Sequence, residues 1–483
     1  MSLKQWMMVA VVVGSGVMAT AQQISPATAD AVKGVIGDVL VSGKAYEYDE
    51  HLADEIGPRL TGSASFMKSA AWAESEFKAL GLTNVHTEGW TIPATWEPEN
   101  ASGRILSPVE KPLHLYSVGW SPSARVSGSV FVLTSMEPSA LDAARDKIQG
   151  AVVVVPREAY APLLGSLSKL VAALEKLEGM GAKALLTQGI ENGAQSSTAM
   201  SVTGKISPVP LAQVGKEDFL LLERLAAKGP VTVEFSMQNK IRKDVSVPEV
   251  VAEIQGSELP DEVVIVGGHL DSWDPGTGAQ DNGTGVAMVM DTARAVMATH
   301  RAPKRTMRFI LFSGEEQGLL GSNAYVKKHL EEMGKIDAVL ITDSGAEPAQ
   351  GWYVMGREDE RKAMTAISPL LAGLGADGLS SDTSEVFGTD HAAFDVNGVP
   401  VLVLWTGEDK YSKLHHKASD TFDSVVQKDL AGDTAVVAAT AYAIADENGP
   451  FAKHLSDAER TQMLKSINQD ETYQYMKSHG IMP

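Results

Sequence analysis

From residue 250 onward, continuous apolar runs alternate with helical patterns, and this alternation restricts the fold more than any other feature of the chain. Residues 250–254, 263–267, 307–312, 338–342 and 399–405 are rich in β-branched, aliphatic and aromatic residues. A strand with one wet face alternates apolar and polar residues, whereas a nearly continuous apolar run is expected where both faces are buried. Between the runs lie helical patterns at 285–298, 318–330, 361–374 and 428–445. In the first of these, Val286, Val289, Met290, Ala293, Val296 and Met297 form one stripe, as on a helix lying against a sheet. The expected fold class is α/β, a mostly parallel mixed sheet flanked by helices. In such sheets the loops beyond the carboxyl ends of the strands collect ligand sites.

Those loops carry the chemistry. His269 and Asp271 follow the run at 263–267, and Asp281 lies in a glycine-flanked loop before the next helix. Glu315-Glu316 follow 307–312, Asp343 follows 338–342, and His415-His416 follow 399–405. Read singly, each is also the ordinary residue of a turn or a helix N-terminus. Two imidazoles and several carboxylates delivered to one rim are what a pair of divalent metals needs, which points to a hydrolase. His269 offers a ring nitrogen to a metal, with Asp271 able to fix its tautomer through the other nitrogen. Asp281 can reach two ions. Adjacent carboxylates at Glu315-Glu316 would repel unless one binds metal and the other shares a proton with water. The chain has no Cys, so a metal must be held by N and O donors. It has no Gly-x-Ser-x-Gly elbow around Ser313 or Ser344 and no His-Glu-x-x-His.

The 483 residues exceed one ordinary core, so two folded units are expected. The net charge of −20, with no Lys/Arg block, argues against nucleic acid as partner. Residues 1–21 read as a cleaved export signal: Lys4, an apolar stretch over 6–18, then Ala19-Thr20-Ala21. The stretch is short of the ~20 residues that span a bilayer, so a secreted or periplasmic protein without a stable membrane anchor is expected. Residues 22–105 open the main domain, with helical character over 27–83 and a helix at 63–80. Residues 106–240 change to short β runs (128–133, 150–155, 231–235) with helical patterns at 166–180 and 217–227, as a separate unit without metal chemistry. Residues 241–446 carry the site, and the tail 447–483 shows a capping box from Ser456 to Glu459 and one helix.

Together the motifs resemble the zinc exopeptidases of peptidase family M28, in particular the carboxypeptidase Q branch. The resemblance rests on the run from Gly268 to Asp274, Gln280-Asp281-Asn282-Gly283, Gly314-Glu315-Glu316-Gln317-Gly318, Asp343-Ser344-Gly345 and His416 through Thr421. Ile56-Gly57-Pro58-Arg59-Leu60-Thr61-Gly62-Ser63 is similar to that family's opening segment, and 106–240 to the protease-associated domain inserted in many members. The resemblance implies two zinc ions per chain, bridged by Asp281, with His269 and Asp343 completing one site and Glu316 and His416 the other. It implies Glu315 as general base, Asp271 as the partner of His269, and a peptide or dipeptide as substrate. The spacing to Asp420 favours His416 over His415. Arg59 is expected to be structural, and Thr389-Asp390-His391 could lie beside the substrate. Two other readings share the fold: a single-zinc glutaminyl cyclase, and a receptor-like module without catalysis. Neither the direction of exopeptidase action nor a homodimer can be read from these motifs.

Overall fold

The computed structural model describes residues 24–164, 167–189, 205–407, 409–478, 480 and 482. The export signal expected at 1–21 lies outside the described residues. Fourteen strands are found among them: β1 Thr83–Ser107, β2 Lys111–Leu113, β3 Leu115–Ser117, β4 Ala124–Val132, β5 Val152–Val155, β6 Ala184–Gln188, β7 Leu211–Val214, β8 Thr232–Ile254, β9 Leu259–His269, β10 Arg305–Phe312, β11 Ile336–Ile341, β12 Gly351–Tyr353, β13 Gly378–Ser380 and β14 Val401–Trp405. They form one mixed sheet in the order β13-β12-β14-β11-β9-β10-β8-β4-β5-β6-β7-β3, with β1 and β2 off that path. β14, β11, β9 and β10 are mutually parallel. The mixed α/β architecture is the expected one.

Burial explains the apolar runs. Along β9, Val264 and Val266 enter one core while Val263 and Ile265 enter another. β10 divides in the same way, with Phe309 and Leu311 on one side and Ile310 and Phe312 on the other. The first core is covered by helices Pro26–Ser42, Ala64–Ala79, Thr284–Ala298 and Gln427–Asp446. The second is covered by Leu320–Lys328, His391–Asp395 and the tail. With helices on both faces, the central positions of β9 from Val263 to Val266 are all buried, and apolar residues fill them.

Helix Ala64–Ala79 begins where expected, because the Ser63 hydroxyl caps it by accepting from Phe66 N at 3.0 Å. Three expectations are corrected. The helix expected at 318–330 starts only at Leu320, after a turn in which Leu319 takes φ +59°. The tail holds two helices, Asp457–Ser466 and Asp470–Ser478, not one. The strand expected at 250–254 is the last part of the 23-residue β8, which pairs antiparallel with the 25-residue β1. Residues 105 and 240 both fall within these two strands. β10 and β4 pair with opposite ends of β8, while β1 follows it almost throughout.

Candidate metal centre

Strand register brings the candidate ligands level. Phe312 of β10 is opposite His269 of β9, and Ile341 of β11 is opposite Gly267, so Asp343 comes level with His269. Helix Thr284–Ala298 is preceded by a wide turn at Ala279–Gly283 in which Asp281 leaves helical geometry (φ −123°, ψ 91°). That excursion aims its carboxylate into the rim. His269 Nε2 lies 3.3 Å from Asp281 Oδ1, 3.3 Å from Asp343 Oδ1 and 4.0 Å from Glu315 Oε2. The second oxygen of Asp281 is 3.4 Å from His416 Nε2, which is itself 2.9 Å from Glu316 Oε2. The five residues expected as ligands therefore converge, with Asp281 between two groups. His415 is also close: its Nε2 is 3.5 Å from Asp281 Oδ2 and its ring stacks on His416 with centroids 3.7 Å apart. Its side chain is 45% exposed against 22% for His416.

The donor set fits a metal. Asp281 Oδ2 and Glu316 Oε1 are buried without a hydrogen-bond partner, a costly state for carboxylates that a cation relieves. Burial pushes the Glu315 carboxyl well above its ordinary range; Asp343 and Glu316 add to this while His269 opposes it. Glu316 is raised in the same sense, by burial and then by Asp281. Burial also acts to raise Asp281, but the His269, His415 and His416 rings outweigh it and hold the group low. Imidazole nitrogens with carboxylate oxygens and no thiolate suit zinc.

Residues around the candidate ligands hold them in place. His269 Nδ1 lies 3.0 Å from the main-chain carbonyl of Asp271 and 3.6 Å from its carboxylate. Asp271 thus meets the ring mainly through its backbone oxygen, because the chain turns immediately after β9. Asp420 was visible in sequence only as a spacing mark, yet its carboxylate accepts from Gln280 N at 2.7 Å and Asp281 N at 3.1 Å. Tyr411, not singled out by sequence, directs its hydroxyl to Asp343 Oδ1 at 3.4 Å. Arg59 is fully buried and donates to the carbonyls of Leu270 (2.7 Å), Thr277 (2.8 Å) and Gly278 (2.8 Å), a structural role as expected. Thr61 accepts from Gly314 N at 2.7 Å, so the 56–63 segment supports both ligand loops.

The remaining candidates separate clearly. Thr389 lines the cleft at the rim, while Asp390 and His391 are fully buried and are not among its lining residues. The Ser313 hydroxyl contacts Glu249 and Trp90, and that of Ser344 donates to Leu404 O, so both serines are engaged structurally. Asp281, Glu315, Glu316, Asp343, His415 and His416 form one part of a cleft of about 550 Å³, a volume suited to a small ligand.

Residues 249–441 match Peptidase family M28. The chain is 30% identical over 428 residues to mouse carboxypeptidase Q, covering 86% of this chain and 89% of that one. It is 31% identical over 411 residues to the Xenopus laevis carboxypeptidase Q, covering 81% and 84%. Among solved structures it is similar to a peptidase M28 precursor from Shewanella amazonensis, with a TM-score of 0.77, 26% identity and coverage of 89% and 99%. It shares its fold with a zinc aminopeptidase from Bacillus subtilis, with a TM-score of 0.67, 21% identity and coverage of 86% and 97%. Motifs, converging side chains and similarity over most of the length agree that the chain belongs to peptidase family M28.

Proposed function

We propose that the protein is a metallo-exopeptidase using two zinc ions to hydrolyse dipeptides or short peptides. The observation that carries this reading is the position of Asp281, whose two oxygens face His269 with Asp343 on one side and His416 on the other. His269, Asp281 and Asp343 would hold one ion, and Asp281, Glu316 and His416 the other. When bound, such ions polarise a carbonyl and lower the pKa of water toward ~7. Glu315 takes the proton of the attacking water and returns one to the leaving amine. Glu385 adds a carboxylate to the cleft lining beyond the candidate ligands, which supports recognition of a free amino end over a free carboxylate.

Metal analysis of the purified chain tests the reading. Two zinc per chain are expected, and one or fewer in Asp281→Ala. One zinc in the wild type, with cyclisation of an N-terminal glutaminyl peptide, would favour the cyclase; no zinc would favour the receptor. We propose likewise that 106–240 form a protease-associated-like insert and that export removes 1–21. N-terminal sequencing of the mature protein should then begin at Gln22.

A further inference from the structure

The last described helix of the chain, Asp470–Ser478, lies beyond the residues that match the family, yet its Met476 lines the cleft. This tail is firmly seated. Leu464, Tyr473 and Met482 are buried in the same apolar cluster as Leu319, Tyr353 and Val403, and Lys327 Nζ donates to Gly480 O at 2.6 Å. Phe387 and Met476 pack against that cluster from its edge. The cleft therefore has two chemical parts. One holds the carboxylates and imidazoles, and the other is made of Leu319, Tyr353, Phe387, Val403 and Met476. A peptide whose carbonyl is at the first part must place a side chain somewhere, and the apolar part is the surface that gains from covering it.

We propose that helix Asp470–Ser478 forms one wall of the substrate side-chain subsite, with Met476 a specificity-determining residue that selects peptides whose amino-terminal residue is large and apolar. The thioether is flexible and polarisable, so it accommodates side chains of differing shape. The inference rests on the exopeptidase reading above. It gives the tail a role at the site: the segment completes a binding surface whose other residues come from the family core.

The test compares wild type, Met476→Leu, Met476→Ala and Met476→Asp in the full zinc-loaded chain on Leu-Gly and Lys-Gly. Met476 is only partly buried, so the thermal midpoints should stay close to wild type. Wild type and Met476→Leu should both prefer Leu-Gly. Met476→Ala should lose about tenfold in kcat/KM on Leu-Gly, mainly through KM. Met476→Asp should move the Leu-Gly to Lys-Gly ratio at least tenfold toward Lys-Gly. Calorimetric binding of both dipeptides to Glu315→Gln, with and without Met476→Asp, reads the subsite without turnover. Ratios unchanged within twofold in both measurements would overturn the inference while leaving the peptidase reading intact. The expected binding shift without any cleavage by the wild type would support the subsite and overturn the peptidase reading. Binding of neither dipeptide would overturn both.

Discussion

Glu315 is set apart from its neighbour by what it touches. Glu316 contacts His416 at 2.9 Å, whereas Glu315 stands 4.0 Å from His269, with its side chain 12% exposed toward the cleft. Replacing it by Gln keeps the shape and removes the proposed base. Glu315→Gln should retain its full zinc content and lose a factor of about 10²–10⁴ in kcat; retention of most turnover would remove Glu315 from the mechanism. Arg59 has a different kind of importance. Its three main-chain partners all lie between His269 and Asp281, so Arg59→Met should leave buried carbonyls unpaired and cost about 3 kcal/mol in urea unfolding. The candidate ligands were legible because His269, Glu315-Glu316, Asp343 and His415-His416 are titratable groups placed just beyond apolar runs, and Asp281 sits in a glycine-flanked loop before a helix. Asp420 and Tyr411 were not, since their roles depend on where a distant loop returns.

At the level of elements, the parallel strands could be read because two buried faces demand an apolar residue at nearly every position. β1 could not. Much of it is partly exposed, Gly89, Pro93 and Pro98 interrupt it, and its regularity comes from pairing with β8 across more than a hundred intervening residues. The turn at Ala279–Gly283 shows how one element sets another's chemistry, because Asp420 fixes its two central amides. Asp420→Ala should lower zinc affinity about tenfold or more in competition with a chelator, the size usual for residues supporting a ligand. Helix His391–Asp395 ends in a fully buried carboxyl, raised to about 6 by burial against the opposing pull of Arg357 and Arg460, with Asp359 adding to it. Because the folded value lies above the ordinary 3.8, the stability this group contributes is present below that value and is lost as pH rises through about 6. The thermal midpoint of Asp395→Asn relative to wild type should therefore climb between pH 4 and pH 6 and level off above; a flat difference would refute the assignment.

For the whole molecule, the decisive fact is that β1 and β8 each belong to more than one apolar core. Ile92, Trp96 and Val250 lie in the core beside the metal centre, while Ile105, Val233 and Phe235 lie in the core of the 106–240 region. Strands shared in this way should couple the two parts. Tryptophan fluorescence and far-ultraviolet dichroism are expected to report one unfolding midpoint; two separated midpoints would show that the region melts independently. The same geometry leaves β1 as a very long outer strand, paired on its far side only with β2 at Gly103, Arg104 and Ile105 among the described residues. An uninterrupted edge of that length would template the addition of further chains and seed aggregation. Register shifts between Thr83 and His86, Pro98 and Asn100, and Ile105 and Ser107 divide it, and Pro93 and Pro98 have no amide hydrogen to offer an incoming strand. The irregularities that hid β1 from a sequence reader also hide it from other copies of the protein.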